Sequence, residues 1–222
     1  QFIMLLGSSG CSDQARAQHK LQTRFRVMPN TVVPYSLFGE IFYAPEIDEI
    51  CVGNATMTFD DYLEGRLFDL SVELFYNNAI FDQLYKYLVR LGLSVSLLIR
   101  NVHDAFRKSD GPLKKIKENF LRETKELWEN KEDLEELLLD PNTIRNYEEG
   151  KNGNNEQVMY RTRAIFQHLE ELHDLVFVEA INLVKHSELY DDKIARYIEE
   201  LHEISLMRKL DVLSYDKTSS KT

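Results

Sequence analysis

Clustered cations, cysteines and long apolar runs are all scarce in this sequence, and each scarcity argues against a class of function. Lys and Arg number 27 against 37 Asp and Glu, for a formal net charge of −10 and an isoelectric point near 5.2. A nucleic-acid interface neutralises phosphates with grouped Lys and Arg. The densest group here, Lys114-Lys115 with Lys117, is followed at once by acids. No nucleic-acid partner is expected. Two cysteines, Cys11 and Cys51, supply neither a disulfide framework nor zinc spacing, which points to a reducing cytoplasm. No apolar run approaches the roughly 18 residues of a membrane span, so no membrane partner is expected either. Gly7-Ser8-Ser9-Gly10 lacks the Lys and the spacing of a phosphate loop.

What is present is helical periodicity. The 222 residues suffice for one large domain or two small ones with a sizeable core. Tyr62 to Leu91 organises the chain as two apolar-faced helical stretches hinged at Asn77-Asn78. Thr58 is the candidate N-cap, with Asp61 placed to favour the exposed N–H groups. Leu63, Leu67, Leu70 and Leu74 recur at helical spacing, and Ile80, Leu84, Tyr87 and Leu91 carry a second stripe that Gly92 ends.

Ahead of this hairpin the pattern is shorter. Phe2 to Leu6 is a continuous apolar run of the kind a buried parallel strand shows. Its alternative, the remains of a lipoprotein signal acylated at Cys11, lacks a long enough apolar region and a basic flank. Thr23 to Val27 alternates as a strand, with Arg24 and Arg26 on the side opposite Phe25 and Val27. Leu37 to Tyr43 and Glu46 to Val52 fit strand or helix equally. After the hairpin, Ser94 caps a helix ended by Asp110-Gly111-Pro112. Further helices are expected from Pro112 to about Leu139, Met159 to His186, and Asp191 to about Val212. Asp140 to Asn155 is expected as a loop and Lys217 to Thr222 as a frayed tail.

One chemical spacing repeats: Glu170-x-x-His173 and Glu199-x-x-His202. Glu-x-x-His on two helices is what a di-iron carboxylate bundle uses, since residues three apart project to one side. Helical phase sets Glu170 at the rim of its apolar arc and Glu199 well away from the Ile194-Ile198-Leu201 stripe. A rim glutamate beside a half-buried histidine is the plainer account, because surface helices produce this spacing readily. No Ser/His/Asp or Cys/His arrangement follows from spacing, and no catalytic residue is assigned.

Four stretches, Phe2 to Ser9, Thr23 to Pro29, Glu49 to Val52 and above all Thr56 to Arg66 (TMTFDDYLEGR), carry a resemblance. They resemble the C-terminal part of radical S-adenosylmethionine proteins that bear a cobalamin-binding domain. The resemblance, which covers mainly residues 2 to about 91, implies that residues 1–57 end a partial β/α barrel and connect onward and that 58–213 form a helical C-terminal domain; composition makes 214–222 a disordered tail. The fold class is then mainly α with a short N-terminal α/β remnant. Gly7, Ser8 and Ser9 stand in the loop after the barrel strand, the implied cofactor-side position, although Leu6-Gly7-Ser8-Ser9 departs from the family's Pro-Gly-Ser/Thr-Glu. No Cys-x-x-x-Cys-x-x-Cys is present to hold a cluster. The 4Fe–4S cluster, S-adenosylmethionine and cobalamin therefore belong to upstream domains of the same parent chain, which are the implied partners; this chain alone binds none and is inert. Because residue 1 is Gln, the chain is expected to be cut from something longer, or processed. The rival function is a helical protein-interaction module, with 94–139 and 157–212 as a partner-binding bundle. The substrate is unreadable.

Overall fold

The computed structural model describes the backbone of residues 2–5 and 7–219 and the side chains of 3–5 and 7–210. The protein is mainly helical, with a small antiparallel strand region near its N-terminus. Among the described residues no helix is long and apolar enough to cross a membrane. The chain divides into two compact units, residues 1–66 with 120–159, and 67–119 with 160–222.

The first unit is built on β5 (Ile47–Gly53), which pairs antiparallel with both β1 (Phe2–Ile3) and β2 (Gln22–Val27). β1 is therefore not the buried parallel strand that its apolar run suggests. It is a two-residue edge, continued by the Met4 amide donating to the Glu49 carbonyl at 2.8 Å. Side chains on an edge alternate in and out, so Met4 is buried while Leu5 is 64% exposed. Leu6 lies outside the described residues. The short helix α1 (Asp13–His19), capped by Ser12, joins β1 to β2, and Arg16 clasps Glu49 at 2.6 and 2.7 Å. That pairing holds the Glu49 carboxyl below the ordinary glutamate range.

Two apolar clusters cover the sheet. Ile50, Val52, Tyr62 and Leu63 form one; Val27, Val32, Leu134 and Leu138 form the other. The helix expected from Pro112 to Leu139 is broken: α5 (Gly111–Thr124) stops, and α6 (Lys131–Leu137) restarts after Asn130. Between them Trp128 pairs with Phe25, each amide donating to the other's carbonyl at 2.8 Å. The outer edge of β2 recruits this segment out of the helix. The expected loop 140–155 is likewise corrected. Its first half is α7 (Pro141–Glu148), with Asp140 accepting from the Thr143 amide and Pro141 in the first turn. Ile144 and Tyr147 supply its apolar face. Gly153, at φ +69°, closes the following turn so tightly on the Tyr147 ring that a Cβ would lie 2.5 Å from it.

Arg26, on the face of β2 opposite Phe25 and Val27, is partnered rather than solvated. It lies 3.5 Å from Glu156, at the start of α8 (Glu156–Gln167), and 3.7 Å from Asp48. Arg66 donates to Glu156 at 2.8 Å and sits over the Phe120 ring. Two arginines against two carboxylates leave this largely buried group without net charge.

The helix α2 (Phe59–Val72) starts at Thr58, whose hydroxyl accepts from the Asp61 amide while the Asp61 carboxylate accepts from the Thr58 amide. This reciprocal box is where the sequence places the cap. In the second unit α2 ends in a π-helical turn, Glu73–Asn77, and α3 (Asp82–Arg90) follows. Leu67, Leu70 and Leu74 are buried as expected. Of the second stripe Leu84 is buried as expected, but Ile80, Tyr87 and Leu91 are only half-buried, and Phe81, Tyr85 and Leu88, each one residue further on, are buried instead. Ala79 at φ +53° resets the helical phase there. The unit is completed by α4 (Val95–Lys108), α9 (Leu169–Lys185) and α10 (Asp192–Ser219), with α9 packed on α4 and α10. The helix expected from Met159 to His186 is two, parted at His168. α10 runs past its expected end near Val212 into the segment expected to fray, and residues 220–222 lie outside the described residues.

Candidate functional site

Two places in the molecule are unusual for a folded helical protein: a polar cluster between α9 and α10, and an apolar hairpin in the first unit.

The cluster begins with His173, which is fully buried. Its Nδ1 lies 2.9 Å from the Leu169 carbonyl, which only accepts, so Nδ1 carries the proton. Its Nε2 is then the acceptor for Ser205 Oγ at 3.3 Å, and Ser205 Oγ in turn accepts from Lys209 Nζ at 2.7 Å. The chain of donation runs from Lys209 through Ser205 and His173 to the backbone. Burial pushes the His173 imidazole down to about 4, with the Leu169 bond opposing and Lys209 and His202 adding to the depression. Burial, with Arg208 nearby, also lowers Lys209 below the ordinary lysine range. A Ser flanked by Lys and His suggests a nucleophile, but Ser205 is 3% exposed and every member is engaged in the relay. What the relay does is satisfy polar groups inside a helix pair.

The structure brings together His173 and His202, whose rings stack with centroids 6.1 Å apart. His202 and Glu199 line one cleft, while Glu170 is exposed and does not line it. Both His173 nitrogens are already committed. Among the described residues no three His, Cys, Asp or Glu are grouped to hold a metal ion. Asp174, which no sequence pattern singled out, stands 3.3 Å from His202 Nε2. That proximity depends on the register between two helices, which periodicity does not encode.

Gly7, Ser8 and Ser9 form an exposed turn after β1, with Gly7 at φ +81°. The Ser8 amide donates to the Leu5 carbonyl, the Ser8 carbonyl accepts from the Cys11 amide, and the Ser9 carbonyl accepts from Ser12 Oγ. The turn thus closes largely on its own backbone. Cys11 and Cys51 are free thiols, the second buried.

The hairpin joins β3 (Pro34–Leu37) to β4 (Glu40–Tyr43), with Tyr35 opposite Phe42 and Leu37 opposite Glu40. Its base is anchored: Val32 is buried with Val27, Tyr43 donates to Glu148 at 3.0 Å, and Thr31 Oγ1 accepts from the Glu46 amide. Its tip is Phe38-Gly39, both at positive φ, as a two-residue hairpin turn requires. Phe38 is 98% exposed, and Tyr35, Leu37, Ile41 and Phe42 are exposed with it. Glu40 is the sole charge between residues 34 and 43. The sequence hid this surface because strand and helix templates fit Leu37 to Tyr43 equally. Phe38-Gly39 also lacks the Asn-Gly or Asp-Gly that marks such a turn.

Comparison with protein-family models, curated proteins and solved structures finds no match for this chain.

Proposed function

We propose that this chain is a helical protein-interaction module that docks through the β3–β4 hairpin and carries no chemistry of its own. The observation that supports it is Phe38, a large apolar side chain 98% exposed on a left-handed backbone, at the tip of an anchored hairpin. Scattered exposed apolar residues are ordinary, but a contiguous apolar projection with one charge is a surface suited to burial against a partner. The module works in a reducing cytoplasm, where the free thiols of Cys11 and Cys51 persist. The test is a photo-crosslinking side chain placed at position 38, with position 203 on exposed α10 as control. The expected result is one discrete adduct from 38 and none from 203, the captured protein then binding purified chain. Equal, diffuse labelling from both positions would remove the hairpin as a docking surface.

A second function is the C-terminal portion of a radical S-adenosylmethionine protein, in which upstream domains hold the 4Fe–4S cluster, S-adenosylmethionine and cobalamin. Its support is local: the Thr56 to Arg66 stretch opens α2 through a capping box where that family's helical extension begins. Gly7, Ser8 and Ser9 follow the first strand as that proposal requires, although the antiparallel pairing of β1 departs from a barrel strand. Coding sequence upstream of Gln1 decides it. A Cys-x-x-x-Cys-x-x-Cys there supports the parent enzyme, and its absence removes it.

A further inference from the structure

We infer that the cleft between α9 and α10 binds an organic cation, a protonated amine on a short apolar body. The cleft is about 380 Å³, at the small end of the roughly 300–1,000 Å³ of small-molecule sites. α9 supplies Asp174, Phe177, Val178 and Ile181, which at spacings of three, four and seven share one helical face. α10 supplies Glu199 and His202, three apart. The wall is thus an aromatic ring and two branched aliphatic side chains, and two of its three polar groups are carboxylates. No Lys or Arg is among these lining residues.

The polar groups select the ligand's charge. An anion would meet two carboxylates with no Lys or Arg beside them in the lining, and Lys209, the nearby cation of the relay, is engaged by Ser205, so the anion is repelled. A bare metal ion lacks a set of three grouped ligands among the described residues. An ammonium group needs no fixed coordination shell: it can donate to the carboxylates of Asp174 and Glu199 while its hydrocarbon rests on Phe177, Val178 and Ile181. His202 shapes the floor. Its ring packs on Phe177 at 4.8 Å, and its Nε2 is buried, 3.3 Å from Asp174 Oδ1, without a well-formed hydrogen bond. The imidazole is therefore held by stacking and stays beside the carboxylate that meets the cation.

The experiment is an amide-resolved NMR titration of the whole chain at pH 7 with phenethylammonium. The neutral 2-phenylethanol and the anionic 3-phenylpropionate are the controls. The expected result is saturable shifts confined to residues 174–181 and 199–202 with the amine only. Asp174→Asn and Glu199→Gln, both isosteric and on exposed positions, should each weaken binding about tenfold. Three results would overturn the site: no saturable shift up to about 10 mM amine, equal binding of the alcohol, or wild-type affinity in the double variant. The amide spectra of the variants report directly that they remain folded.

Discussion

At Phe38 the backbone and the side chain are both in unfavourable states. A non-glycine residue in the left-handed region costs about 1–2 kcal/mol, and the ring gains nothing from burial in this chain. Asn tolerates that backbone best after Gly, so Phe38→Asn should raise stability by about 1 kcal/mol in a denaturant melt. A loss of stability would mean that the ring is packed. His173 makes the opposite case, a polar side chain whose burial is compatible with its neutral form only. An unfolded imidazole titrates near 6.5 and the folded one near 4, so the unfolded chain takes up a proton first as pH falls. The stabilisation is complete above about pH 6.5 and falls by about 1.4 kcal/mol per pH unit until about pH 4. His173→Gln should remove that slope, read as the stability difference between variant and wild type from pH 7.5 to 4.5. A constant difference across this range would show that His173 does not stay neutral in the fold.

Elements are held by a few residues each, and their removal should be costly. Leu70, on the inner face of α2, is fully buried, so Leu70→Ala should cost about 2–5 kcal/mol. A loss under about 0.5 kcal/mol would place that stripe on the surface instead. Glu156 receives Arg66 at 2.8 Å and faces Arg26. Glu156→Ala leaves the buried Arg66 charge without its carboxylate and should cost about 3–5 kcal/mol, whereas a neutral melt would show the arginines re-solvated. Which elements were legible follows from where their information lies. Thr58, Ser94 and the Leu67-Leu70-Leu74 stripe encode their structure locally, and each appears in place. Asp140-Pro141 also encodes a helix start locally, but the Asn and Gly of 142–155 mask it. The break at 125–130 contains neither Gly nor Pro. It exists because β2 offers a free edge to Trp128, a tertiary event that periodicity cannot report. The candidate site divides in the same way: Glu199 and His202 were singled out by spacing, whereas Asp174 entered only through helix–helix register.

Over the whole molecule, charge and apolar surface are distributed unequally. A net charge of −10 disfavours the approach of acidic surfaces. The hairpin, with Glu40 as its one charge, escapes most of that repulsion at its tip. Docking there should rest on buried apolar area and respond little to ionic strength, unlike a charge-steered contact. The most direct measurement is a calorimetric titration of the protein captured at position 38 against wild-type chain and Phe38→Asn, with both chains melted in parallel. Docking through the hairpin predicts binding at least about tenfold weaker for the variant, at equal or higher stability. Equal affinity for the two chains would contradict it.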